Sequence, residues 1–139
     1  MTKVDFYILE TGSREHTACK LVEKAYQLGH KVYVHTASEE QARHMDELLW
    51  TFHDRSFLPH EPYRHGQEKT APIQIGAVDA PDTDSEVLIN LAADVPLFFS
   101  RFLRVAEVIG TDEEAKHQGR ERFRFYRDRG YPLDTHKLS

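Results

Sequence analysis

Cysteine is almost absent: Cys19 is the only one among 139 residues. An internal disulfide is excluded, and so is a zinc site built on several thiolates. A lone thiol fits a reducing compartment. Long apolar runs are missing too, and none approaches the ~20 residues of a membrane helix. The first residues carry Lys3 and Asp5 and lack the charged-then-apolar pattern of a secretion signal. The expected location is cytoplasmic, without membrane attachment. Glycine is sparse, with seven residues and none in GxGxxG or GxxxxGK[ST] spacing. The first strand-to-helix turn, ETGSREHT (Glu10–Thr17), holds one glycine. A phosphate therefore cannot lie against consecutive backbone amides there. HExxH is absent, and neither a cofactor nor a metal is expected. Positive charge is in deficit, 18 Lys and Arg against 23 Asp and Glu, for a net charge of −5. That balance argues against tight, sequence-independent nucleic-acid binding, which rests on neutralising phosphates.

What is present reads as alternating strands and helices. VDFYIL (Val4–Leu9) is aromatic and β-branched, a buried strand. From Arg14 to Leu28, apolar residues recur at three- and four-residue spacing until Gly29, which predicts a helix. KVYVHT (Lys31–Thr36) is a second strand, and Ser38 caps a second helix ending near Trp50. SFLPH (Ser56–His60) is a short apolar segment, and 61–72 is an irregular loop. IQIGAV (Ile73–Val78), EVLINLA (Glu86–Ala92) and RVAEVIG (Arg104–Gly110) are further strands. PLFFSRFL (Pro96–Leu103) reads as a helix with proline in its first turn. Thr111 is the expected cap of a last helix, about Asp112 to Arg129, ended by Gly130 and Pro132. Short connections in this order imply βαβ units and a mainly parallel sheet. The expected fold is one α/β domain over 1–139, three-layered and Rossmann-like, without the nucleotide fingerprint.

Candidate chemistry is thin. His53, His60 and His65, near Asp54 and Glu61, read as surface or hydrogen-bonding histidines. Asp5, Glu10 and Asp79 would have to gather at one sheet edge to act as nuclease-type carboxylates. No catalytic set stands out. The sharpest feature is RERFRFYRDRGY (Arg120–Tyr131), with five arginines and four aromatics in twelve residues. From Lys116 to Tyr131 the charge is +4, which leaves −9 for the other residues. On a helix, Arg124 and Arg127 fall within roughly 40° of Arg120, and Lys116 and Phe123 lie beside that stripe. The result is a cationic ridge next to an aromatic edge. Read from composition alone, it is also a solvated face whose arginines cover the core.

The ordered set formed by FYIL (Phe6–Leu9), DELLW (Asp46–Trp50), SFLPH, EVLINL (Glu86–Leu91) and RERFRFYRDRGYPL (Arg120–Leu133) spans essentially the whole chain. In that order and spacing it resembles the chi subunit of bacterial DNA polymerase III. The resemblance implies a Rossmann-like fold and a non-catalytic adaptor of the replisome. It implies binding of the acidic C-terminal tail of single-stranded DNA-binding protein, which ends in Ile-Pro-Phe and a free carboxylate. The implied tail site is Arg120, Phe123 and Arg124, with Lys116 one turn earlier and Ile109 helping to form the apolar pocket. Phe123 stands where the family often has tyrosine, and Arg124 where it often has lysine. A second surface around Trp50, Phe57 and Pro59 is implied for the psi subunit, which connects to the clamp loader, or for a helicase sharing that patch. Read without the resemblance, these aromatics fit equally well in the chain's own core. Two other functions stay open at this point: a Rossmann-like nucleotide- or metal-dependent enzyme, and direct single-strand binding through arginine and aromatic stacking.

Overall fold

The computed structural model describes residues 1–52, 57–78 and 81–138. Among these residues seven strands form one sheet: β1 (Lys3–Leu9), β2 (Val32–His35), β3 (His60–Pro62), β4 (Ile73–Gly76), β5 (Val87–Asn90), β6 (Arg104–Ile109) and β7 (Leu133–Leu138). Their order is β3-β4-β2-β5-β6-β1-β7, and every pairing is parallel. Among the described residues three helices accompany them: α1 (Arg14–Gln27), α2 (Glu39–Thr51) and α3 (Glu113–Asp128). The architecture is the expected three-layer α/β fold.

A parallel sheet needs cover on both faces, and strand alternation divides the core accordingly. Val32, Val34, Ile73, Ile89 and Val108 point to one face, where they meet Ala18, Cys19 and Val22 of α1 and Ala42, Met45 and Leu49 of α2. Burial, and then the charge of Glu15, pushes the Cys19 thiol up to about 12, so it packs as an inert apolar group. Val4, Phe6, Tyr33, Leu88, Val105 and Ile109 point to the other face, against Tyr126 of α3 and Phe98, Phe99 and Phe102. Helix ends follow local chemistry. Ser13 and Ser38 accept from the amides of His16 and Gln41, as N-caps do. Gly29 and Gly130 take φ near 86° and 79° just past α1 and α3, where other residues are strained.

Four local expectations change. The segment 96–103 forms only a 3₁₀ turn, Phe99–Arg101, because burying Phe98, Phe99 and Phe102 together outweighs helix propensity. Phe102 then leaves in extended conformation toward β6. The cap of α3 is Asp112, whose carboxylate accepts from the Ala115 amide at 2.7 Å, and Thr111 precedes it. The loop 61–72 begins inside a strand, since His60–Pro62 pairs with β4. After Pro132 the chain forms β7 beside β1.

Glu61 of β3 ties down the long loop that follows. Its carboxylate accepts from the Thr70 amide and hydroxyl, the Ala71 amide and the Gln74 side chain. Burial opposes ionisation there, but the bonds from Thr70, Gln74 and Ala71 outweigh it and lower the pKa from 4.5 to about 2. A depressed carboxylate stabilises the fold above its unfolded pKa and loses that contribution as pH falls toward the folded value. The urea-midpoint difference between the parent and Glu61→Gln should therefore shrink as pH falls from about 4.5 to about 2. A difference that stays constant across that window would count against this anchoring role.

Candidate protein-docking site on the last helix

The underside of α3 is fixed by a buried polar network. Glu107, in the middle of β6, is fully buried. It receives Arg122 Nε at 2.7 Å, the Tyr126 hydroxyl at 2.7 Å and the Asn90 amide at 3.0 Å. Arg122 is also buried and donates from Nη1 to the Ala93 carbonyl at 2.9 Å. Burial pushes the Glu107 pKa up, opposed by Arg122 and by the donors Tyr126 and Asn90. Burial, then the Glu107 charge, pushes the Tyr126 phenol up as well. Arg122 thus spends its charge inside the molecule, and the outward ridge is less basic than the sequence sum suggests. Sequence reading missed this network. The available signal was three polar residues at core-facing positions: Glu107 within VAEVI, Asn90 closing VLIN, and Arg122 on the same side of α3 as Gly119 and Tyr126.

The fixed underside leaves the predicted ridge facing outward. Arg120 and Arg124 are exposed, and Lys116 and Phe123 are half-buried. Arg124 contacts Glu121 at 2.8 Å, Arg127 contacts Asp128 at 3.1 Å, and Lys116 lies 3.7 Å from Glu113. Arg129 sits over the Phe125 ring, 3.5 Å from its centroid. Among the described residues, Arg120 makes no ion pair or side-chain hydrogen bond. Phe123 turns edge-on to Phe6, centroids 5.2 Å apart. Ile109 is buried beneath α3, where it packs so closely on Gly119 that a Cβ there would overlap its side chain. It also borders a cavity of about 220 Å³ with Gly110, Ala115, Gln118 and Arg14. The five residues therefore share α3 and β6, with Ile109 beneath the helix, Phe123 on its flank against the core residue Phe6, and Lys116, Arg120 and Arg124 toward solvent.

The second candidate surface lies at the far end of the sheet. Trp50 and Phe57 are exposed, at 56% and 68%, with centroids 5.5 Å apart. Trp50 also packs on His60, 4.5 Å between rings, and Pro59 is half-buried beside it. Solvent exposure answers the question of burial in the core: these rings form a surface patch. His60 supports the patch from below, through Nδ1 to the Leu58 carbonyl at 2.6 Å and Nε2 to the Asp46 carbonyl at 3.0 Å. His65 contacts the Tyr63 hydroxyl at 3.0 Å.

Other candidate chemistry is not gathered among the described residues. Among the described residues, no three His, Cys, Asp or Glu are grouped to hold a metal ion. Asp5 is occupied by Arg104 at 2.8 Å and His136 at 3.1 Å, while Glu10 lies past the opposite end of β1. His53, Asp54 and Asp79 fall outside the described residues. No helix among the described residues is long and apolar enough to cross a membrane.

With this geometry established, comparison with known proteins is informative. The family model described as "DNA polymerase III chi subunit, HolC" matches residues 1–134. The chain belongs to this family. Relatives named DNA polymerase III subunit chi bear this out across nearly their full length. The Pseudomonas aeruginosa protein is 39% identical, covering 99% of this chain and 98% of its own. The Haemophilus influenzae protein is 31% identical over 96% and 95%, and the Escherichia coli protein 27% over 97% of both. The resemblance expected from the sequence is thus established. As a chi-family member, the chain carries its cationic ridge on a fold whose first strand-to-helix turn lacks a glycine-rich phosphate loop.

Proposed function

We propose that this chi-family chain is a non-catalytic replisome adaptor that holds the acidic C-terminal tail of single-stranded DNA-binding protein on α3. The observation that carries the reading is Arg120. It is exposed and unmatched on a ridge whose other cations have acidic or aromatic neighbours, and it lies one helical turn from Arg124 and beside Phe123. An unmatched guanidinium can hold a terminal carboxylate through two parallel hydrogen bonds, which an ammonium cannot. Charge-assisted bonds contribute about 1.5–3 kcal/mol each. Burial of a terminal phenylalanine adds about 1.5–3 kcal/mol, and ordering a flexible tail subtracts from the total. Binding on the order of −8 kcal/mol, micromolar, follows.

Fluorescence anisotropy with a labelled acidic peptide ending in Ile-Pro-Phe tests the reading. Saturable binding should weaken with added salt, because the exposed charges are screened. A peptide without the terminal phenylalanine should bind much more weakly. Equal binding of both peptides would overturn the proposal.

The Trp50, Phe57 and Pro59 patch is the proposed contact for psi, through it for the clamp loader, or for a helicase using the same surface. Clustered exposed aromatics are the usual composition of interface centres. Phe57→Ala should weaken capture of such a partner by about 2 kcal/mol or more. Because the ring is 68% exposed, the fold and tail binding should be retained. Loss of both activities together with unfolding would assign Phe57 to the core.

A further inference from the structure

The sheet has a further feature, distinct from the outward ridge of α3 and from the Trp50 patch. After β2 the chain leaves toward β3 on the face covered by α2, and after the adjacent β5 it leaves toward β6 on the opposite face. Neighbouring strands whose connections diverge in this way open a crevice at their carboxyl ends, the usual ligand position in open α/β sheets. Here only a 3₁₀ turn stands where a full helix would cover the sheet. The space left is a cleft of about 700 Å³. That volume lies within the range of small-molecule sites, roughly 300–1,000 Å³.

The walls of the cleft are preformed. Asn90 accepts from the Ala92 amide and donates to the Asp94 carbonyl, and Arg122 holds the Ala93 carbonyl. The apolar lining comes from Ala37, Ala77, Pro96 and Phe98, and the His35 ring meets Phe98 edge-on at 5.2 Å. Two charged side chains also line the cleft, Arg101 and Asp94. Both are exposed, and among the described residues neither side chain has a hydrogen-bond or ion-pair partner, including each other. One cation and one anion, separate and uncompensated over an apolar lining, complement a ligand carrying both charges on an apolar body.

We infer that this cleft binds a small zwitterion of the amino-acid type, its carboxylate on Arg101, its ammonium on Asp94 and its apolar side chain against Phe98 and Pro96. The inference does not use the tail-site residues: Arg101, Asp94, Phe98 and Pro96 lie outside α3, and the one α3 residue that supports the cleft wall is the buried Arg122, which is not part of the outward ridge. Heteronuclear NMR of the full chain titrated with phenylalanine tests it. Saturable shifts should appear at the amides of Ala37, Ala77 and Ala92 at millimolar ligand. Arg101→Gln and Asp94→Asn should each weaken binding about tenfold or more, the effect of losing one charge-assisted contact. N-acetylphenylalanine, without the ammonium, and phenylalanine amide, without the carboxylate, should lose about as much. Arg120→Ala should bind like the parent. The inference is overturned if the parent shows no saturable shift at those amides. Binding that survives both substitutions, an N-acetyl form equal to the zwitterion, or parallel loss in Arg120→Ala would also overturn it.

Discussion

Glu107→Leu should lower folding stability by about 3–5 kcal/mol, the range for stranding one half of a buried ion pair. The substitution keeps an apolar residue of similar size in β6, so a cavity is not the main source of the loss. Its origin is the 4%-exposed Arg122, left without its carboxylate, together with Tyr126 and Asn90, which lose their acceptor. Chemical denaturation measures the effect directly. The double variant Glu107→Leu/Arg122→Met should recover part of the loss, since replacing a whole buried pair with apolar residues is often neutral. Full recovery is not expected, because the Ala93 carbonyl would still lose its donor. A single Glu107→Leu variant within about 1 kcal/mol of the parent would show that the network is not what fixes α3 to the sheet.

Arg120→Ala should weaken tail-peptide binding by about 2 kcal/mol, roughly thirtyfold, while folding stability stays within about 0.5 kcal/mol of the parent. The asymmetry follows from exposure: truncation takes no apolar group from the core and breaks no internal ion pair. Arg124→Ala should have a smaller effect, because that guanidinium must first give up Glu121, although an exposed pair of this kind holds only about 0.2–1 kcal/mol. Arg120→Lys should restore part of the binding, since a point charge lacks the planar fork. Anisotropy at two salt concentrations, with denaturation of the same samples, separates the outcomes. A folded Arg120→Ala protein that binds like the parent would reduce the ridge to a solvated face.

How much was legible in the sequence depended on where the chemistry lies. Strands buried on both faces, such as VLIN and VYVH, are apolar runs closed by one polar residue and could be read directly. Edge strands could not. LDTHKL of β7 has only one neighbouring strand and is largely exposed, so its residues are polar and carry no period-two signal. HEP of β3 is three residues long, and its proline argues for a loop until the pairing with β4 is known. The outward stripe of α3 followed from helical spacing, because Arg120 and Arg124 depend only on their own helix. Arg122 was counted with them because a buried arginine cannot be told from an exposed one until its carboxylate, fifteen residues earlier in β6, is known to face it. The unmatched state of Arg120 was equally invisible, since it depends on which acids reach which neighbours.

The placement of β1 has a kinetic consequence. Lys3 lies opposite Arg104 and Val4 opposite Leu133, so both neighbours of this strand come from the last third of the chain. Closing such long loops before any pairing is gained slows folding. During synthesis β1 emerges early, and its apolar residues stay without hydrogen-bonded strands until β6 and then β7 follow. In that interval the segment VDFYIL is open to wrong pairing with other chains, the hazard of any late-completed sheet. The polar β7 is the last strand of the sheet in chain order: when it docks, the remaining edge of β1 is covered, and α3, which connects β6 to β7 and is already held to β6 by Glu107, is tethered to the sheet at both ends. The ridge that carries Arg120 would then be among the last features of the molecule to form.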